Sequence, residues 1–140
     1  MRDLHNNIAP KRVISPVSVA DTTALVGQII DRQGFESLEY IIAIGSVADA
    51  DATFAVLLEE GDNSALSDAA AVADADLLGT EVLAGFQFDD DNEVRKLGYK
   101  GNKRYTRLTI TPVANASAAL IAAVAVLCHP FSAPTANPPA

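Results

Sequence analysis

From residue 24 onward the chain has a short, regular rhythm: apolar segments of about five to nine residues alternate with clusters of Gly, Asp and Asn. An amphipathic helix needs apolar positions every three or four residues over a longer window, so this rhythm spells short strands joined by turns. Strands are expected over residues 24–31, 37–44, 52–59, 81–88, 94–99, 103–111 and 118–128. One more strand from the N-terminal region brings the number to about eight. The runs 38–42 and 104–110 mix β-branched and aromatic residues, which suits a pleated, half-buried surface. Residues 53–58 are helical by periodicity alone, but their brevity, with Asp49, Asp51 and Gly61 flanking them, makes them a strand.

Residues 1–23 are polar and interrupted by Pro10 and Pro16, and read as an N-terminal arm in which Val13, Ile14, Val17 and Val19 are available for a terminal strand. Residues 24–128 form the sandwich domain. Residues 129–140 form a Pro-rich tail that favours an extended polyproline-II-like path. The connection from Glu59 to Glu81 is too long for a hairpin, and Ser64 as N-cap with Asp68 near the first turn predicts one short helix over 64–70. The strings 47–52 and 72–77 echo one another but are too short and too few for a repeat architecture. Many short strands with one long crossing predict an all-β chain, an antiparallel β-sandwich of jelly-roll type with extended terminal arms.

Composition narrows the function classes. A chain of 140 residues matches one domain with one core. A formal net charge of −8 argues against nucleic acid or an anionic membrane as partner. Aromatics are 6% and Trp is absent, which counts against sugar or base stacking. Cys128 is the only cysteine, so one chain holds neither an internal disulfide nor a multi-thiolate metal cluster. The longest apolar run, 118–128, is too short for a membrane helix, and the first residues lack the apolar centre of a signal peptide.

No catalytic set is expected. The two histidines, His5 and His129, lie at the ends, and Cys128 and His129 are neighbours that a strand sends to opposite faces. The acidic string 88–93 resembles a hard-cation loop but lacks EF-hand spacing, and a solvated turn accounts for it better. Asp49, Asp51, Asp74 and Asp76 read in the same way, as charged loops. No phosphate-binding, dinucleotide, zincin or nucleophile-elbow motif occurs, so no cofactor is expected.

The unusual feature is basic. Arg95, Lys96, Lys100, Lys103, Arg104 and Arg107 hold six of the ten Lys and Arg residues of an acidic chain. Two readings stay open for these candidate partner-binding residues. One is docking to an acidic protein surface, either Asp89–Asp91 of a neighbouring copy or another subunit. Nucleic acid is disfavoured despite Tyr99 and Tyr105, since the net charge is negative and no RNP-like motif is present. The other reading is a β-hairpin with a solvated polar face, turning at Lys100, Gly101 and Asn102.

The stretches 21–40 (DTTALVGQIIDRQGFESLEY) and 94–105 (VRKLGYKGNKRY) resemble small virion structural proteins of tailed bacteriophages, and the resemblance extends over roughly residues 21–130. It implies a capsid decoration, or cement, protein that is made in the host cytoplasm and binds the outer capsid face. Such a protein has itself, as a homotrimer, and the major capsid protein as partners. Arms at both ends would add contacts by avidity. The rival within the virion is a head-tail connector or tail component. From another class, a glycan- or cell-surface-binding sandwich module competes, with the lack of Trp against it.

Overall fold

In a strand, successive side chains point to opposite faces, so a period of two decides which residues enter the core. The computed structural model describes residues 2–139. Its strands are β1 (Ile8–Val19), β2 (Leu25–Val26), β3 (Ile30–Asp31), β4 (Phe35–Val47), β5 (Thr53–Gly61), β6 (Ala70–Ala71), β7 (Leu77–Leu78), β8 (Phe86–Gln87), β9 (Val94–Tyr99), β10 (Tyr105–Val113) and β11 (Ala119–Pro130). The first sheet has the order β1-β11-β4-β9-β7. The second has the order β2-β10-β5-β6, with β3 also on β10 and β8 also on β5. Every pairing is antiparallel.

The chain crosses between sheets at nearly every step. If β2 with β3, and β6 with β8, are each taken as one interrupted strand, the long strands interleave as in a jelly roll. The antiparallel sandwich expected from the sequence is therefore present. Its core interdigitates Tyr40, Ile42, Leu97, Ile121 and Leu127 of the first sheet with Leu58, Leu108 and Ile110 of the second. Phe54 and Phe86 stack at 4.6 Å at one end. Each such side chain stabilises by about 1.5–3 kcal/mol when buried.

Several local expectations are corrected. The N-terminal segment is not an arm: β1 pairs along β11 from Ile8/Cys128 to Val19/Ala119 and buries Ala9, Val13, Ile14 and Val19. Its prolines are tolerated because an edge strand needs ladder donors on one side only, and the register shifts near Ile14 absorb the rest. Packed structure thus begins at β1 and not at residue 24. The expected strand 24–31 is two short pairings separated at Gly27, whose N–H donates to the Leu108 carbonyl at 2.8 Å. A Cβ there would lie 2.5 Å from that oxygen.

The tail does not extend away. The Phe131 N–H donates to the Gly34 carbonyl at 2.8 Å, the Thr135 N–H to Asn6 at 3.0 Å, and Thr135 Oγ1 to Ile8 at 2.6 Å. These bonds fold it back over the N-terminal turn.

Where a helix was expected over 64–70, residues 64–69 form turns and Ala70 begins β6. Asn63 Oδ1 accepts from the Ala65 N–H, and the Asp68 carboxylate accepts from the N–H groups of Asp62 and Asn63, local bonds that compete with a helix. The short helix α1 (Glu81–Ala84) lies where a strand was expected. Thr80 Oγ1 caps the Leu83 N–H, and Glu81 Oε1 accepts from the Leu58 N–H at 2.7 Å, so α1 is tied to β5. Of the expected strand 81–88 only β8 remains.

Candidate interaction face

The two outer faces of the sandwich differ in chemistry. Inward, β11 presents Ala119, Ile121, Ala123, Ala125 and Leu127, and outward it presents Leu120, Ala122, Val124, Val126 and Cys128. Both rows are apolar, as in strands covered on two sides. Cross-strand pairing continues the outer row: Val124 lies opposite Ile41, Ala122 opposite Ala43, and Ala43 opposite Val94. Leu78 of β7 lies opposite Gly98. Val94 is 62% exposed, Leu78 53%, Leu120 47% and Val124 40%, so the apolar face is open. A groove of about 610 Å³ opens at one end of it, between Leu4, Ile8, Ile41, Leu78 and Val126. A hollow of about 420 Å³ lies at the other end, beside Val17, Gly45 and Leu120.

The outer face of the second sheet is polar by comparison, with Arg107 opposite Glu59, Thr109 opposite Leu57 and Thr111 opposite Ala55. Arg12, Glu39 and Lys96 interrupt the apolar face, and Glu36 and Lys100 border its groove. Glu39 sits opposite Val126 on one side and Gly98 on the other. Burial pushes its carboxyl above the usual range, and nearby Lys96 partly offsets this. Gly98 provides the floor: a Cβ there would stand 2.7 Å from Glu39 Oε2 and 2.8 Å from Leu78 Cβ.

The six basic residues do not share one surface. β9 belongs to the first sheet and β10 to the second, so Lys100, Gly101 and Asn102 cross between sheets and do not close a hairpin. Lys96 lies on the apolar face, and Lys100 lines its groove. Arg95 turns the other way and pairs with Asp90 at 3.1 Å and with Glu93. Lys103 pairs with Asp62 at 2.6 Å. Arg104 forms a two-pronged pair with Asp31 at 2.9 Å for each bond, donates to Gln33 Oε1 and lies over Tyr105. Arg107 pairs with Glu59 at 3.0 Å across the second sheet. Four of the six thus neutralise acids of their own chain, an arrangement sequence proximity did not reveal.

The acidic loops are occupied with backbone. Asp90 Oδ2 accepts from the Gln87 N–H at 2.8 Å, and Asp91 Oδ2 from the Val47 N–H at 3.3 Å. Asp49 is held down to about 2 by hydrogen bonding with the Asp51 side chain and then by the Ala116 N–H, while Asp51 is raised by the same contact. Among the described residues no group of three or more His, Cys, Asp or Glu is placed to hold a metal ion. Ser37 Oγ and His129 Nδ1 lie 2.6 Å apart at the rim of the groove, on paired strands β4 and β11.

No protein-family model matches the chain, and no curated protein sequence matches it. Among solved structures it is similar to the SPBc2 prophage-derived protein YomS, at 11% identity over 86% of this chain and 93% of that one, with a TM-score of 0.45. It is also similar to the CBM22-1-GH10 modules of Clostridium thermocellum xylanase 10B, at 11% identity over 95% of this chain and 28% of that one, with a TM-score of 0.45. A xylan-binding CBM22 domain is similar at 8% identity over 94% of this chain and 92% of that one, with a TM-score of 0.40. These remote similarities concern the sandwich fold alone.

Proposed function

We propose that the chain is a structural virion protein of a tailed bacteriophage which binds the outer face of the capsid as a decoration protein and assembles as a homotrimer. The observation that carries this reading is the asymmetry of the sandwich: one outer face is apolar and open, while four of the six clustered basic residues are spent on ion pairs with acids of the same chain. A face of this kind is suited to packing against protein, since contiguous apolar surface in water marks an interaction site. The resemblance over residues 21–130 supplies the virion setting. The folded-back tail and the paired β1 remove free arms from the proposal, so attachment runs through the faces and loops of the domain.

Cryo-electron microscopy of intact particles tests the reading. Density for this jelly roll repeated over the shell at three-fold positions is the expected result. A ring at one vertex or along the tail moves the protein to the connector class, and absence from particles overturns a virion role.

A further inference from the structure

We infer that the open apolar face of the first sheet, centred on Ile41, Val124 and Val126, is a self-association surface on which a second copy of this chain seats. The inference rests on the reading of the chain as an assembling virion protein and names the surface through which it assembles.

Four observations carry it. First, β11 and the middle of β4 are apolar on both sides, a composition that belongs to strands covered on both faces. Second, the face has the required size: five strands about 4.8 Å apart, crossed by nine residues of β11 at about 3.4 Å each, give a footprint on the order of 500–600 Å². With its charged residues counted, that footprint approaches the roughly 800 Å² per partner of a stable complex, to which Leu4 and Val17 at the rim contribute.

Third, the charges suit a like partner. The chain is strongly acidic, yet this face carries Lys96, Lys100 and Arg12 beside Glu39 and Glu36. A face that carries cations in an otherwise acidic chain repels a second copy less than the rest of the surface would and offers it ion-pair partners. Fourth, two competing modes are disfavoured. The edge strand β1 carries Pro10, Pro16 and two register shifts, which discourage strand addition. The chain's own tail is bonded to Asn6 and Ile8 and does not lie on the face.

The test is light scattering on the full chain over a dilution series, with Val124→Asp on the face and Thr111→Asp on the opposite sheet. Wild type and T111D are expected to be oligomeric. V124D should remain folded by circular dichroism and associate about a hundredfold more weakly or worse, because even opposite Arg12 a carboxylate has to be desolvated in an apolar contact. Cys128, the sole thiol, lies in the outward row of this face. Its rate of maleimide labelling in the wild type should rise as dilution dissociates the oligomer, a readout that holds even if V124D misfolds.

A wild type that is monomeric at high concentration overturns the inference. So does a folded V124D that stays oligomeric, or a thiol equally reactive at all concentrations. A monomer that decorates capsids, and loses them in V124D, assigns the face to the capsid and leaves the decoration reading standing. An oligomer dissociated by V124D but missing from particles does the reverse.

Discussion

Tyr40 Oη and Thr106 Oγ1 lie 2.6 Å apart with both residues fully buried, and their hydrogen bond joins the two sheets through the middle of an apolar core. Burial holds the phenol well above its ordinary range, so it stays protonated and able to donate.

Removing one partner of this bond is expected to cost more than removing both. Tyr40→Phe leaves the Thr106 hydroxyl buried without its partner and should destabilise by about 1–3 kcal/mol. Adding Thr106→Val should recover much of that loss, since no orphaned hydroxyl remains. Urea denaturation of the two single variants and the double variant measures the coupling. Strictly additive losses would show that the bond contributes nothing of its own.

Deleting residues 2–20 is expected to unfold the domain. The deletion removes β1, and with it the buried Ala9, Val13, Ile14 and Val19 and the whole pairing edge of β11. At about 1.5–3 kcal/mol for each large aliphatic side chain, the loss rivals the 5–15 kcal/mol total of a typical domain. A cooperative thermal transition in the truncated chain would contradict the assignment of β1 to the sheet.

Reversing Arg107 to Glu should act on stability before it acts on any partner. The change sets two carboxylates directly opposite each other at positions 59 and 107, a cross-strand repulsion of about 0.2–1 kcal/mol added to the lost pair. The double exchange Arg107→Glu with Glu59→Arg should restore most of the stability. If the exchange leaves the melting temperature as low as R107E alone, the pair is not what matters at this position.

Glu39 predicts a pH dependence. Its folded-state value is raised by burial, so its contribution to stability is fully present below the unfolded value and is lost as pH rises through the raised one. Glu39→Gln should therefore be more stable than wild type at neutral pH, and the two should converge in acid. Thermal melts from pH 4 to pH 7 check this, and curves that run parallel would place Glu39 in solvent.

How much of this was legible in advance varies by element. The strand 94–99 was readable to the residue, and the strands around Tyr40, Leu58, Leu108 and Ala123 were located to within a few positions, because short apolar runs bounded by Gly, Asp and Asn mark them locally. The apolar run 118–128 already held the signal for the open face, since alternate residues pointing outward were apolar too, but it was read only as a candidate strand. Residues 64–70 and 81–84 both departed from their expected roles because side-chain bonds from Asn63, Asp68 and Thr80 decide such short segments, and composition alone does not rank them.

By itself, the sequence determined that the chain is an antiparallel β protein, roughly where its long strands run, and that no motif of known catalytic geometry runs along it. Only the tertiary structure decided which strands are neighbours. It put β1 beside β11, parted β9 from β10, and so dispersed a basic cluster that is compact in sequence. The physical reason is that strand pairing is non-local. A residue's pattern states which way it faces, while the hydrogen-bond ladder that sets its neighbours closes over most of the chain.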